Sequence, residues 1–345
     1  MVHQQVFFKA IIQGTLEFGN EKSYHKVQAL YLQRMETLYK KEVIFKIPEQ
    51  LFNEETHTLH IPRFIGNTTE KAWKNTINLL EYCAQFCYSG AINAWLTDNG
   101  KILSHYHIEP LGEKSMVVLY QAGKKLAEEK GSEKEAIKLL TEAIEKYERH
   151  SQAYEKRGYV NFHLKNYSDA VYDFSKSIKL DAQNSSSHYG LGRCYFIKKK
   201  YNEAILSMEE ALKFTIALHP LYWAARRFKG QCYIELEQWD NACFEYKLFT
   251  SRNYPHTDPN YKHLPLAWYN YGKALFALGK IEDAVESFDK SLSYQLDQTD
   301  ELKAKMFLQR GMARKAAGLS DYILDFKKAS ELGLQSATDM LIVNK

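Results

Sequence analysis

A self-similarity of 34 residues constrains the possible folds of this chain more than any other feature of its sequence. When residues 151–184 are laid over residues 185–218, small residues recur at the eighth and twentieth positions and a large apolar residue at the twenty-fourth. The aligned pairs are Gly158 with Gly192, Tyr167 with Tyr201, Ala170 with Ala204, Phe174 with Met208 and Ile178 with Leu212. Because small residues let two helices approach closely, this pattern predicts antiparallel helical hairpins. A single hairpin cannot bury its apolar face, so neighbouring hairpins should stack.

The pattern resembles the consensus of the tetratricopeptide-repeat family. Residues 151–184 fit that consensus without a gap, whereas the first unit has one extra residue in its turn and the last unit has one fewer. Six units are predicted, at about 116–150, 151–184, 185–218, 223–256, 265–298 and 304–337. The resemblance implies a mainly α fold in which residues 116–345 form an α-solenoid, a right-handed superhelix of helical hairpins. A short capping helix at 334–345 should cover the last hairpin.

Residues 1–115 lack the repeat and predict a small α+β domain with an antiparallel sheet. The predicted elements are a helix at Glu21–Lys41, strands at Val43–Ile47 and Thr58–Pro62, a helix from an Asn67 cap to about Tyr88, and a hairpin around Asn99-Gly100. These patterns assign no family and no function to this domain. A further possibility is that it folds back onto the groove of the repeats.

Composition and charge limit the kinds of partner and the cellular location that we expect for this chain. The net charge of +4 is too small to indicate nucleic-acid binding by itself. No stretch approaches the roughly 18 apolar residues of a membrane span, and the apolar run at residues 6–8 is broken by Lys9, so no secretory leader is expected. Five cysteines, an odd number, indicate reduced thiols and a cytoplasmic location.

Candidate catalytic and metal-binding residues are scarce. Cys83 and Cys87 lie one helical turn apart, which is too far for an easy disulfide, and further zinc ligands are not in place. We interpret both as core thiols. Four histidines, at positions 57, 60, 105 and 107, have no carboxylate or cysteine at a metal-binding spacing and are interpreted as surface or hydrogen-bonded residues. Nucleotide-binding and hydrolase motifs are absent from the sequence, so no cofactor, metal or catalytic residue is predicted.

The family resemblance also implies a binding surface. In such repeats the first helix of each hairpin lines a concave groove through positions two, five, nine, twelve and thirteen. Transferred to this sequence, that register gives Tyr120, Lys124, Tyr159, Phe162, Tyr189, Arg193, Phe196, Arg227, Gln231, Tyr269, Lys273 and Phe276. Aromatic rings interspersed with cations favour a protein or peptide segment that carries apolar anchors and acidic residues. The Lys and Asn positions of the chaperone-binding carboxylate clamp are not matched in this register.

Three functions follow as hypotheses. The first is a non-enzymatic scaffold or adaptor that binds a partner segment in the groove. The second is binding of RNA or single-stranded nucleic acid, since aromatic and basic residues together can stack bases and neutralise phosphates. The third is an enzyme with its active site in residues 1–115 and repeats that recruit substrate. A deep pocket with converging polar groups in that domain would favour the third hypothesis.

Overall fold

The computed structural model describes residues 6–294 and 298–343, and it divides after Cys194 into two compact units that are described in turn. The first unit begins with a sheet of strands β1 (Phe8–Glu17), β2 (Phe52–Asn53), β3 (Thr58–Thr68), β4 (Ser89–Asp98) and β5 (Lys101–Ile108). Their order across the sheet is β2-β3-β1-β4-β5, and every neighbouring pair is antiparallel. The predicted antiparallel α+β arrangement is confirmed.

Two helices, α1 (Glu21–Thr37) and α2 (Glu70–Ala84), bury one face of this sheet. Alternate residues of β1 supply the sheet side of this core, and Tyr31 and Leu80 supply the helix side. The predicted hairpin between β4 and β5 is confirmed. Asn99 and Gly100 at its tip have φ of 46° and 76°, the two positive values that a type I′ turn requires.

The central strand β1 was missed by the sequence analysis. It pairs with both β3 and β4 and is buried along most of its length, so its residues do not alternate between apolar and polar types. Gly14, at φ 137°, further weakens the strand pattern. Its missing Cβ lets the backbone of Ala91 in β4 approach closely.

Two other local predictions were wrong. Residues 43–47 form no strand; instead, the Ile44 N–H donates to Thr76 Oγ1 over 2.8 Å and ties this segment to α2. The cap of α2 is Thr69, whose hydroxyl accepts the Ala72 N–H, and not Asn67. Asn67 belongs to β3 because this strand runs further than the sequence pattern indicated.

The remainder of the first unit consists of repeat helices. They are α3 (Ser115–Leu126) with α4 (Glu133–Lys146), α5 (Ser151–His163) with α6 (Tyr167–Leu180), and α7 (Ser185–Ile197), whose last residues pass beyond Cys194. The helices of the second unit are α8 (Tyr201–Lys213), α9 (Pro220–Glu235) with α10 (Trp239–Thr250), α11 (Leu264–Ala277) with α12 (Ile281–Ser293), α13 (Asp300–Ala316) with α14 (Tyr322–Glu331), and α15 (Gln335–Val343). Parts of the predicted fifth repeat and of the predicted capping helix, at 295–297 and 344–345, lie outside the described residues.

Glycines at the eighth repeat position determine how closely the two helices of a hairpin pack. A Cβ on Gly272 would lie 2.7 Å from the Phe288 ring, and one on Gly311 would lie 2.6 Å from the Phe326 ring. Gly158 stands in the same relation to Phe174. The close helix approach that the sequence predicts from this position is therefore present in both units.

Candidate partner-binding surface

Tyr120, the first residue of the predicted groove, is covered by another segment of the same chain. Tyr120 is 1% exposed, and its hydroxyl donates to Oε2 of Glu109 over 3.1 Å. The Lys124 ammonium forms an ion pair with the other oxygen of this carboxylate. Burial alone would raise the pKa of Glu109, but the bond to Lys124 and its charge hold this pKa below its usual value. Tyr120 therefore offers no surface to a partner, which corrects its predicted role, and Lys124 is already paired.

Strand β4 also packs against the second repeat. The Gly90 N–H donates to Gln152 Oε1 over 2.8 Å, and Gln152 holds the second position of that repeat. Beside this contact, Arg149 forms an ion pair of 2.6 Å with Glu17 of β1. Within the first unit, the N-terminal sheet thus covers groove positions of the first two repeats.

Accessible groove positions remain further along the first unit, where Tyr159 of α5 is exposed and Tyr189 and Arg193 of α7 are half-buried. Tyr159 is 44% exposed, and its ring centroid lies 4.4 Å from that of His163. His163 contacts Phe162, and the Arg193 guanidinium lies 4.1 Å from the centre of the Phe162 ring and 5.7 Å from that of Tyr189. We call these five residues the aromatic–arginine patch. It combines rigid apolar area with a positive charge that cation–π contacts hold in place.

The predicted positions in the second unit differ in accessibility. Arg227 is 8% exposed and Tyr269 is 9% exposed, so both belong to the interior of that unit. The half-buried positions are Phe196, Gln231, Lys273 and Phe276. These four side chains keep accessible area. The burial of Arg227 and Tyr269 removes these two predicted residues from the accessible surface of the second unit.

A polar cleft that the sequence analysis did not identify lies in the first unit. It encloses about 230 Å³ where the ends of β1 and β3 meet the turns before α5 and after α6. Its polar side chains include those of Thr15, His60, Ser151 and Asp181. These residues come from four separate elements and form no motif along the chain, so their convergence could not be detected from local spacing.

The cysteines of α2 and its end and the histidines of β5 pack against or bond to neighbouring residues. Cys83 and Cys87 are fully buried and unpaired, and burial raises the pKa of the Cys83 thiol to about 12. Trp95 stacks on His105 at 5.1 Å, and His107 contacts Asn93. Within 6–294 and 298–343, no group of three or more potential metal ligands converges. Over the same residues, no helix combines the length and apolarity needed to cross a bilayer.

Comparison with known sequences identifies repeats in both units. Residues 126–185, 185–215 and 265–297 match family models described as tetratricopeptide repeat. The protein named SGT1 homolog is 34% identical over 82 residues in Bos taurus and 35% identical over 81 residues in Homo sapiens. Each alignment covers 24% of this chain, and this chain spans 24% and 22% of those relatives.

A solved structure shares the helical fold. The Pseudomonas aeruginosa pilF structure aligns with a TM-score of 0.50 at 16% identity, over 64% of this chain and 92% of that one. A tetratricopeptide repeat protein from Parabacteroides merdae aligns over 93% of this chain and 98% of its own, at 14% identity and a TM-score of 0.42. At such identities the likeness to pilF concerns the fold alone, and the second alignment is too weak to support an argument.

Proposed function

Because this chain is a tetratricopeptide-repeat protein, we propose that it is a non-enzymatic scaffold that binds an extended or helical segment of a partner protein. Its repeats make it a protein-interaction scaffold in the general sense. More specifically, we propose that the aromatic–arginine patch is the main contact surface and that the partner segment carries apolar anchors together with acidic residues.

The observation that carries this proposal is the exposure of Tyr159. A tyrosine that is 44% exposed, beside half-buried Phe162 and Tyr189, supplies the rigid amphipathic area that dominates many protein interfaces. The charge of Arg193 favours an acidic residue in the bound segment. The coverage of Tyr120 and Gln152 supports this choice, because the groove positions of the first unit that keep accessible area are those further along α5 and on α7.

Nucleic acid is a weaker fit to the same surface. Many cations of the first unit already pair with carboxylates, as Lys124 does with Glu109, Arg149 with Glu17, and Arg157 with Asp173. A phosphate backbone requires several cations in a row that are available for it. We also propose a cytoplasmic setting, in which the five cysteines remain as thiols.

A selection of random peptides on the intact chain tests the proposed function. We expect enrichment of sequences that combine aromatic or aliphatic residues with Asp or Glu, and we expect Tyr159→Ala to weaken their binding about tenfold. The matched control is Tyr172→Ala, because Tyr172 is 54% exposed but lies on α6, the second helix of the same repeat. Equal binding by wild type and Tyr159→Ala would reject this surface.

A further inference from the structure

The cleft between the sheet and the second repeat has room for a ligand the size of a side chain. Its volume of about 230 Å³ is several times what one water molecule needs. Strands β1 and β3 form one wall, and the start of α5 and the residues after α6 form the other. All of these elements belong to the first unit.

The charges in this cleft are not balanced. Glu17 is fully engaged, because Arg149 pairs with it and the hydroxyls of Ser89 and Tyr147 donate to it. Asp181, in contrast, forms no ion pair with any residue in the described ranges. Its Oδ1 accepts one bond, from the Gln183 N–H at 3.0 Å. The carboxylate of Asp181 is therefore the uncompensated charge of the cleft.

The electrostatic surroundings of Asp181 agree with this geometry. Burial raises its pKa to about 6 despite the Gln183 N–H, and the negative charges of Glu155 and Glu17 act in the same direction. A carboxylate in these surroundings gains from a nearby cation, and the described part of the chain supplies none to it.

Neutral groups in the cleft also have unused hydrogen-bonding capacity. Ser151 is 4% exposed, and its hydroxyl makes no hydrogen bond to another described residue. His60 uses Nδ1 to contact Thr15 Oγ1 at 2.8 Å, while its Nε2 has no partner among the described residues. Burial lowers the pKa of His60, so its ring is neutral near pH 7 and adds no positive charge. A buried hydroxyl can accept a hydrogen bond from a donor-rich group, and the imidazole can do so through Nε2 in the tautomer that donates from Nδ1 to Thr15.

We infer that this cleft binds a primary ammonium group on a short alkyl chain, with Asp181 as its counter-charge and Ser151 as a hydrogen-bond acceptor. An ammonium is the simpler fit, because a compact point charge needs contact with only one oxygen of Asp181, whereas a guanidinium pairs best with both oxygens at once and Oδ1 already accepts the Gln183 N–H. The lysine side chain of a partner protein and a free alkylamine share this chemistry. The inference is independent of the aromatic–arginine patch, whose partner residues are acidic.

Ligand-observed NMR on the full chain tests this inference. The probes are lysine blocked at both ends, as Nα-acetyl-lysine-N-methylamide, and n-butylamine. The blocked norleucine analogue has a similar length without the charge and serves as the control ligand. We expect both amines to bind near pH 7 and norleucine not to bind. Stronger binding of blocked lysine assigns the cleft to a polypeptide, and stronger binding of n-butylamine assigns it to a free amine.

Substitution of the carboxylate completes the test. Asp181→Asn keeps the Oδ1 acceptor for Gln183 and should lower the affinity for both amines about tenfold or more. The matched control is Asp169→Asn, which removes an exposed carboxylate from the opposite end of α6 and should leave binding unchanged. Equal binding of norleucine, no binding of either amine, or unchanged binding by Asp181→Asn overturns the inference.

Discussion

Arg157 and Asp173 join the two helices of the second repeat through a nearly buried ion pair, with 2.7 Å between Nη2 and Oδ1. Their side chains are 17% and 2% exposed. The same repeat positions, seven and twenty-three, hold Lys229 with Glu245 at 3.2 Å and Arg310 with Asp325 at 2.6 Å. In the third repeat they hold Leu191 and Ser207. The repeats therefore carry either charged or neutral residues at these two repeat positions.

Asp173→Ser should lower the free energy of unfolding by about 3 kcal/mol, because it leaves the Arg157 guanidinium without its carboxylate. Burial raises the pKa of Asp173 even beside Arg157, so burying this carboxylate is itself costly. The double substitution Arg157→Leu with Asp173→Ser, which copies the third repeat, should therefore recover most of the loss. Urea unfolding of the wild type and of these two variants measures the free energy of unfolding of each. A double variant as unstable as Asp173→Ser would contradict the interpretation.

Lys199→Gly should raise the free energy of unfolding by up to about 1 kcal/mol, because the hairpin turn of each repeat needs a left-handed residue at position fifteen. Position fifteen is occupied by Lys165, Lys199 and Glu237, whose φ values are 65°, 58° and 55°, and by Gly279, whose φ is 73°. Gly279→Ala is the reverse control and should destabilise the chain. Thermal unfolding compares the two variants, and a loss of stability in Lys199→Gly would reject this explanation.

Asp181→Asn should stabilise the chain at neutral pH by roughly 1 to 3 kcal/mol. The folded pKa of Asp181, about 6, lies above its unfolded value, so the folded state binds the proton more tightly. The wild type therefore loses stability as the pH rises from about 4 to about 6, and this loss is absent below about pH 4. Calorimetry near pH 7 and near pH 4 should show the gain at the higher pH only. Asp169→Asn should show no such difference.

Glu109→Gln should lower the free energy of unfolding by about 2 kcal/mol, because it removes the carboxylate that accepts from both Tyr120 and Lys124. The pKa of Glu109 is depressed in the folded state, so its contribution is present above the unfolded pKa. That contribution is lost as the pH falls through the folded value. Chemical unfolding at neutral and acidic pH measures this, and equal stability of wild type and variant at neutral pH would argue against the contact.

The repeat hairpins could be predicted from the sequence because each depends on residues close together in the chain. Gly158 and Phe174 face each other across one hairpin. Their spacing recurs in the other units, with one residue more in the first unit and one fewer in the last. The matches to tetratricopeptide-repeat family models confirm the assignment that this local pattern predicted. Strand β1 was missed because its partners are far along the chain and a central strand shows little alternation.

The candidate site was less predictable than the fold. The family register indicates which positions line a groove, but it does not indicate what covers them. Tyr120 holds a groove position and is nevertheless buried, because Glu109 reaches it from the end of the sheet. Asp181 and Ser151 belong to no motif, and only the packing of the sheet on the second repeat brings them into one cleft.

Equilibrium affinity for a selected acidic peptide tests the central claim most directly. Fluorescence anisotropy should give a Kd for the wild type that rises about tenfold in Tyr159→Ala, or further when Arg193→Gln is added, and stays unchanged in Tyr172→Ala. That result would place the partner on the first helices of the repeats, at the aromatic–arginine patch. A Kd that is the same for wild type and Tyr159→Ala, or that rises only in Tyr172→Ala, would contradict it.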